Sequence, residues 1–404
     1  MNRRQFTGAI AASQVAAQPA KKTVAAVATM YTNDGRLNTH ANVIIGRLLE
    51  GYSPNGVRTE PRTRLVSMYT DQVPPADLSR GLAEKHGFRI FPTIREALTL
   101  GGGDLAVDAV CFVGEHGNYP VNDRGQKLYP RYELMERIVE VFRRTGKSVP
   151  VFCDKHFSYS WIKAKEMYRW SQDLKFPLMA GSSIPLTVRT PEVEVALGAE
   201  LESAVMLGYG DLDAYGFHTL ESLQCMVERR KGGETGIRSV EWIEGADVWK
   251  WRDGSGRWSI PLLEAALAQE PSVKAGRVED NAKAPVAFVL EYRDGFKAVA
   301  YMINGHASGW TFAGKPRSGA PIVTHFGQAR DAARARPLAH FDGLVHCMEQ
   351  MFVTGKPVYP VERTLLTTCT LSLLFESRVW RKSIETPELT IAYRAPREAF
   401  YQRS

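Results

Sequence analysis

The sequence predicts an α/β protein, with a doubly wound parallel sheet in its first half and an open, largely antiparallel sheet in its second half. A chain of 404 residues is too long for one ordinary core, so two domains are expected. Apolar strands alternate with amphipathic helices up to about residue 180, and this alternation favours a parallel sheet. With 44% hydrophobic and 24% charged residues, the composition is typical of a globular protein.

The elements of the first half follow from apolar periodicity. A strand is predicted over Lys21–Thr29, and a helix over His40–Glu50, where apolar residues recur at helical spacing. Ala109–Val113 is almost unbroken apolar sequence, as in strands that are buried on both faces. The other strands are predicted at Arg64–Thr70, Val107–Val113, Val149–Cys153 and Phe176–Ala180, and the helices at Ala76–His86, Tyr132–Thr145 and Tyr159–Trp170.

The second half has a different pattern, in which strands follow one another without long helices between them. Asp294-Gly295 is a hairpin signal, and it favours antiparallel pairing. Strands are predicted at Glu200–Leu207, Val240–Ile243, Val286–Tyr292, Ala298–Ile303 and Leu389–Tyr393, late helices at Phe341–Thr354 and Thr364–Val379, and loops at Ser272–Pro285 and Gly314–Ala335.

The first 20 residues resemble a twin-arginine export signal. Arg3 and Arg4 precede Phe6 and a weakly apolar stretch, and Val15–Ala17 offers a small-residue cleavage site. We therefore expect a periplasmic or otherwise exported protein; the alternative is a cytoplasmic protein with a basic tail. No later segment reaches the roughly 18 apolar residues that a membrane helix needs, so membrane insertion is not expected.

Charge and cysteine usage argue against two functional classes. The net charge is +7, but the basic residues are scattered, so we do not expect nucleic-acid binding. The five cysteines stand far apart without a Cys-x-x-Cys motif, so we expect buried free thiols and no metal site.

The most informative residues are Asp154-Lys155-His156, at the end of a predicted strand. Ligands of doubly wound sheets bind outside the carboxyl ends of the strands. A lysine here could orient a hydroxyl group and stabilise the alkoxide that forms from it, or act as a base if burial lowers its pKa. The alternative is a surface lysine, although positive charge near a helix start is mildly unfavourable.

The loop after the first strand is where a dinucleotide would be held. Its only glycine is Gly35, so the Gly-x-Gly-x-x-Gly fingerprint is absent. Thr29, Thr32 and Asn33 could still offer amides and hydroxyl groups to a pyrophosphate, or the loop has another use. Asp71 follows the second strand, where a carboxylate can bind the adenosine ribose and favours NAD over NADP; a turn-initiating aspartate is the alternative.

A long polar loop follows the strand that ends at Val113. Long loops at the carboxyl edge are usually functional. Glu115 and His116 are therefore candidates for cofactor contact, and Asn122 and Arg124 for substrate contact; a solvated loop is the alternative.

His218 is the second candidate catalytic residue. An imidazole titrates near neutrality and therefore suits the removal of a hydroxyl proton. The alternative is a structural histidine that caps a helix.

These motifs, taken in order, resemble the glucose–fructose oxidoreductase / inositol dehydrogenase (Gfo/Idh/MocA) family over nearly the whole mature chain. That family carries Glu-Lys-Pro where this chain has Asp154-Lys155-His156. Four further segments resemble the family: Leu82–Phe88, Thr93–Leu98, Val107–Val110 and Gly208–Leu223.

The resemblance implies an NAD(P)-dependent oxidoreductase that acts on a hydroxyl of a sugar, a cyclitol or a related polyol. It implies a Rossmann nucleotide-binding domain over residues 21–154, a substrate and oligomerisation domain over 155–404, and a homo-oligomer. It places Lys155 against substrate and cofactor, His218 in proton transfer with Asp213 assisting, and Arg189 near the substrate. The family's aspartate falls on Ala214, so Asp213 is one residue early.

Two other functions stay open at this point. One is an NAD-retaining lyase or glycoside-cleaving enzyme, in which transient oxidation makes a neighbouring bond labile. The other is a non-catalytic carbohydrate-binding protein on a Rossmann scaffold that has lost its dinucleotide, which the missing glycine fingerprint favours.

Overall fold

A computed structural model of the chain describes residues 20–33, 39–327 and 338–403. The twin-arginine prediction, which rests on Arg3 and Arg4, and the lone Gly35 lie outside the described residues.

The first domain is built on a sheet of six parallel strands in the order β3-β2-β1-β4-β5-β6. The strands are β1 (Lys22–Met30), β2 (Thr63–Gln72), β3 (Arg89–Ile90), β4 (Ala109–Val113), β5 (Val151–Asp154) and β6 (Leu178–Gly181). The helices between them are α1 (His40–Glu50), α2 (Ser79–His86), α3 (Ile94–Thr99), α4 (Arg131–Thr145) and α5 (Trp161–Asp173). The predicted doubly wound parallel sheet is confirmed.

The two central strands carry the core of this domain. Every residue from Val24 to Ala28 in β1 and from Ala109 to Val113 in β4 is completely buried, because helices cover both faces of the sheet. Helix α1 begins at its predicted first residue, where the Thr39 hydroxyl accepts a hydrogen bond from the Asn42 amide at 3.4 Å. The carboxyl ends of β1, β4, β5 and β6 therefore meet along one edge of the sheet.

The parallel sheet continues past the predicted domain boundary at residue 154. Helix α5 follows β5, and β6 then pairs with β5 from Val151–Leu178 to Asp154–Gly181. Lys155 thus lies between two strands of the same sheet.

The second sheet has eight strands in the order β14-β9-β10-β11-β8-β12-β13-β7, all antiparallel except the β8–β11 pair. Its strands are β7 (Arg189–Thr190), β8 (Leu201–Gly208), β9 (Ile237–Glu244), β10 (Val286–Tyr292), β11 (Lys297–Met302), β12 (Trp310–Pro316), β13 (Ile322–Phe326) and β14 (Ile384–Glu385). The helices are α6 (Ala214–Val227), α7 (Asp247–Asp253), α8 (Ile260–Gln269), α9 (Val278–Asn281), α10 (His340–Thr354) and α11 (Glu362–Trp380). The predicted largely antiparallel sheet is confirmed.

The Asp-Gly hairpin is where it was predicted. The Tyr292 amide donates to the Phe296 carbonyl at 2.8 Å, and Gly295 has φ 84°, a conformation that favours glycine at a tight turn.

Three predictions for the second half were wrong. Helices α7 and α8 separate β9 from β10, because apolar residues such as Val248 and Leu262 pack on the outer face of the sheet. The predicted loop Gly314–Ala335 contains the end of β12 and all of β13. The predicted strand Leu389–Tyr393 is instead the end of a 3-10 turn, Pro387–Leu389, followed by an irregular stretch with one bridge from Tyr393 to Glu234, and the edge strand is β14.

All five cysteines are buried free thiols, as predicted. Among the described residues, no helix is both long and apolar enough to cross a membrane.

Candidate functional site

The candidate site lies where β5 and β6 end, facing the first turn of α6. Lys155 directly follows β5, and its amide donates to the Gly181 carbonyl at 3.1 Å. Its φ of 66° places a non-glycine residue in the left-handed region. Such a backbone costs on the order of 1–3 kcal/mol and marks sites where the surroundings determine the conformation.

Lys155 and His218 contact each other directly. The Lys155 Nζ atom is 2.6 Å from His218 Nε2 and 3.8 Å from Glu115 Oε1. A lysine ammonium has only donors, so Nε2 accepts and the ring proton lies on Nδ1. Burial and the charge of Lys155 lower the pKa of His218 well below its ordinary value. The imidazole beside Lys155 is therefore neutral.

The buried carboxyl group of Glu221 holds His218 in place through Ser182. His218 Nδ1 is 2.5 Å from Ser182 Oγ, and the Ser182 amide donates to Glu221. Burial raises the pKa of Glu221 to about 7, although the Thr364 hydroxyl donates to it. A Cβ atom at Gly181 would lie 2.5 Å from Glu221 Oε1, so only glycine fits this turn. The carboxyl group thus fixes the serine that holds the imidazole.

A row of alternating charges lies beside this pair. Arg131 donates to the Glu115 carboxylate, and its Nη1 atom is 2.8 Å from His156 Nδ1. Because arginine only donates, His156 carries its proton on Nε2, which faces Asp213 Oδ1 at 3.5 Å. Burial opposes ionisation of Glu115, but the charges of Lys155 and Arg131 hold its pKa far below its ordinary value.

These side chains border a cavity of about 250 Å³ between the loop 114–131 and the start of α6. Pockets for drug-sized ligands measure about 300–1,000 Å³, so this one suits a smaller molecule. Asp213 Oδ2 accepts from the Lys127 amide at 3.0 Å. Asp213 Oδ1 is buried and makes no hydrogen bond in the described parts of the chain, although the His156 Nε2–H group faces it at 3.5 Å. A buried carboxylate oxygen without a hydrogen bond calls for one from a ligand.

The residues predicted to hold a pyrophosphate make internal contacts. The Thr29 hydroxyl donates to the Glu115 carbonyl at 2.8 Å, and Thr32 exchanges hydrogen bonds with Thr39. Asn33 is the last residue before an undescribed gap. His116 Nδ1 accepts from the amide of His40, the first residue of α1, at 3.2 Å.

Asp71 lies near the end of β2, next to a second cavity of about 660 Å³ between α3 and α4. Its two oxygens accept from the Tyr69 hydroxyl at 3.0 Å and from the Tyr119 hydroxyl at 2.6 Å. Its predicted role toward a ribose stays a prediction.

The three predicted substrate residues do not line the 250 Å³ cavity. Asn122 instead orders its own loop, because Oδ1 accepts from the amides of Arg124 and Gln126, both at 3.0 Å. The Arg124 guanidinium is 3.5 Å from Glu376. Arg189 is buried against Glu194 at 2.8 Å. Their substrate roles stay predictions.

Sequence reasoning did not identify Arg131, His40 and Glu221 as site residues. Arg131 was seen only as part of a polar loop, and its meaning depends on His156, 25 residues away. His40 Nδ1 is 2.6 Å from Asp154 Oδ2, so the unusual residues on both sides of Lys155 were the available signal.

Comparison with known proteins supports the fold. No protein-family model and no curated protein matches the sequence. Solved structures do match: GenD2 from gentamicin A biosynthesis in complex with NAD has a TM-score of 0.56 at 14% identity over 90% of this chain and 96% of that chain. The myo-inositol 2-dehydrogenase from Lactobacillus plantarum has a TM-score of 0.54 at 11% identity, over 91% and 99% of the two chains.

A third solved structure carries the name of the family. The Gfo/Idh/MocA family oxidoreductase from Vibrio cholerae has a TM-score of 0.52 at 13% identity, over 89% of this chain and 99% of that chain. At such identities the likeness concerns the fold. The resemblance predicted from the motifs is confirmed at that level: this chain has the two-domain fold of the Gfo/Idh/MocA oxidoreductases.

Proposed function

We propose that this chain is an enzyme that binds a sugar, a cyclitol or a related polyol in the 250 Å³ cavity and moves a proton at one of its hydroxyl groups. The observation that carries the proposal is Lys155, which lines that cavity and contacts His218, a buried residue that does not line it. The solved structures that share the fold include sugar and cyclitol oxidoreductases, which supports the substrate class.

Lys155, His218 and Asp213 would have different roles toward the substrate. A substrate hydroxyl that replaces the direct Lys155–His218 contact would accept a hydrogen bond from Lys155 and donate its proton to His218 Nε2, the ring nitrogen with a lone pair. The ammonium would then stabilise the alkoxide, and Ser182 would keep the ring oriented through Nδ1. Asp213 Oδ1 would accept from a neighbouring hydroxyl and fix the position of the substrate.

The fold implies a nicotinamide dinucleotide, NAD or NADP, as the hydride acceptor for oxidation of that hydroxyl. The described residues do not fit it well. The first amide of α1 is used by His116, and both oxygens of Asp71 are used by tyrosines. The proposed proton transfer does not involve the dinucleotide.

A panel of aldoses, cyclitols and linear polyols, titrated by calorimetry, tests this function. We expect one class to bind and Asp213→Asn to weaken it about 10- to 100-fold, since a hydrogen bond to a charged group contributes about 1.5–3 kcal/mol. Asp173→Asn, which alters an exposed carboxylate on α5, is the matched control. Equal affinity in the Asp213 variant would place the ligand elsewhere.

A non-catalytic carbohydrate-binding protein is the second candidate, and the occupied first turn of α1 favours it. Mass and NMR analysis of the bound polyol after incubation separates the two. A changed molecule supports the enzyme, and an unchanged one supports binding alone.

A further inference from the structure

We infer that the side chains of this chain close the carboxyl edge of the parallel sheet, so that the protein does not take up a nicotinamide dinucleotide at that edge. The closing residues, called here the edge cluster, are His40, Glu115, His116, Asp154 and Lys155. This inference does not rest on the proposed polyol chemistry.

The first amides of α1 already have partners within the chain. In doubly wound folds the pyrophosphate lies at the N-terminus of the first helix, where unpaired amides face it. Here the His40 amide donates to His116 Nδ1 at 3.2 Å, and the Asn42 amide donates to Thr39 Oγ1 at 3.4 Å. Burial lowers the pKa of His116 to about 4, so its imidazole is a neutral acceptor at pH 7. A phosphate oxygen would have to displace it.

Two buried carboxylates, Asp154 and Glu115, make this edge electrostatically unfavourable for a pyrophosphate. Asp154 Oδ2 lies 2.6 Å from His40 Nδ1, so a buried carboxylate already faces the first residue of the helix. Glu115 is a second buried carboxylate of the cluster, and Lys155 and Arg131 hold it ionised. Those two cations are therefore already engaged with Glu115. A pyrophosphate at this edge would add two negative charges beside these carboxylates, where low polarity strengthens the repulsion.

Side-chain contacts of His40 and Lys155 fill the space between the sheet edge and the second domain. The His40 ring packs against His116, with ring centroids 5.1 Å apart, and against Phe341 of α10 at 4.9 Å. Lys155 and His218 meet at 2.6 Å. A nicotinamide ring between the sheet edge and the second domain would have to part these contacts.

A single loop, 114–131, covers both the start of α1 and Asp71 at the end of β2. Glu115 and His116 belong to the loop whose Tyr119 hydroxyl occupies Asp71 at 2.6 Å. The Gln72 side chain also pairs with the Asn118 backbone in both directions, at 3.0 and 2.8 Å. An adenosine ribose and a pyrophosphate would each need this loop to move.

The chemistry balances without a dinucleotide. Reversible transfer of a hydroxyl proton to His218 Nε2 needs neither an oxidant nor a reductant and by itself leaves the polyol unchanged, whereas oxidation of that hydroxyl would need a hydride acceptor at the closed edge. A closed edge therefore limits the Lys155–His218 pair to redox-neutral proton transfer or to binding.

Two measurements on the purified full chain test the inference. Mass analysis after denaturation should find no NAD, NADH, NADP or NADPH. Calorimetric titration with each of the four should then show no uptake at millimolar concentration, with GenD2, which was solved with NAD, as the positive control. Stoichiometric release of a dinucleotide, or micromolar uptake that perturbs His116, would overturn the inference.

The ¹⁵N signals of His116 show where any nucleotide binds, and His116→Asn assigns them. We expect an unprotonated Nδ1 that accepts a hydrogen bond at pH 7 and does not change when NAD is added. Weak binding that leaves these signals unchanged would lie away from the edge cluster and would agree with a closed edge. The polyol titration is separate, so failure of the proposed function would leave this result unaffected.

Discussion

At the scale of single residues, Lys155 combines a strained backbone with a buried charge. Its position after β5 and the Gly-Phe-His context of His218 were both visible in the sequence, because strand ends and helix starts are readable from apolar patterns. The contact between them was not, since 63 residues separate the two and only tertiary packing brings the first turn of α6 to the end of β5. Glu221 was invisible for the same reason: nothing in a helical glutamate reveals which amide it will accept from.

The left-handed backbone of Lys155 yields the first prediction. Lys155→Ala and Lys155→Gly both remove the amine, but only glycine adopts φ 66° without strain. We expect the glycine variant to be more stable than the alanine variant by about 1 kcal/mol. Urea unfolding of the two proteins measures the difference. An alanine variant of equal or greater stability would show that the backbone is not strained.

The direct contact of Lys155 and His218 yields the second prediction. If both serve one proton transfer, Lys155→Ala and His218→Ala should each slow the chemical step by about 10²–10⁴-fold. The double variant should be little slower than either single one, because groups that act as a unit are not additive. Single-turnover kinetics on the polyol identified by titration measures all three. Near-normal turnover in Lys155→Ala would remove the lysine from the mechanism.

At the scale of elements, the predictions succeeded where local pattern and packing agree. Helix α1 begins and ends at its predicted residues, and β10 does as well. The last predicted strand failed because Pro387–Leu389 forms a 3-10 turn that includes its first residue, and two apolar residues, Leu389 and Ile391, are no guide to pairing. Helices α7 and α8 were missed because long-range burial on the outer face of the sheet, rather than a strong local pattern, stabilises them.

The turn after β6 yields the third prediction. Gly181 has φ 129°, and a Cβ atom there would press on both oxygens of Glu221, at 2.5 and 2.8 Å. Gly181→Ala should therefore destabilise the protein by at least about 2 kcal/mol, through backbone strain and the loss of hydrogen bonds to a buried carboxyl group.

Gly146→Ala is the matched control for this turn. Gly146 also has a positive φ, 65°, but nothing lies within 4 Å of the added atom, so we expect a cost of only about 1 kcal/mol. Thermal and urea unfolding measure both variants. An equal decrease in the free energy of unfolding of the two variants would show that the contact with Glu221 does not contribute to the cost of Gly181→Ala.

At the scale of the whole molecule, both faces of the second sheet are covered within one chain. Helices α6 and α11 pack on one face, and α7 and α8 on the other. The predicted homo-oligomer stays a prediction, and an oligomer would have to use another surface or the outer side of α7 and α8. Fold class could be predicted from the sequence because strand and helix alternation determines topology, whereas the closed edge depends on contacts between residues far apart in sequence, such as His40 with His116 and with Asp154.

The buried histidines yield the last prediction, a loss of stability in mild acid. Burial lowers the pKa of His116 to about 4, that of His340 to about 3, and that of His218 well below the ordinary 6.5. Between pH 6.5 and about 4 the unfolded chain therefore binds protons that the folded chain does not. Each such group lowers the free energy of unfolding by about 1.4 kcal/mol per pH unit as the pH falls.

Glu221 acts in the opposite direction, since its raised pKa of about 7 makes the folded state the better proton acceptor between pH 4.5 and 7. Three histidines outweigh one carboxyl group, so stability should decrease as the pH falls from 6.5 to 5. Urea unfolding across pH 5–8 measures the slope, and His340→Asn should reduce it because one proton uptake by the unfolded state is removed. A free energy of unfolding that stays constant or rises on acidification would mean that these imidazoles are already charged in the folded protein. In that case neither His218 nor His116 could act as the neutral acceptor that the site requires.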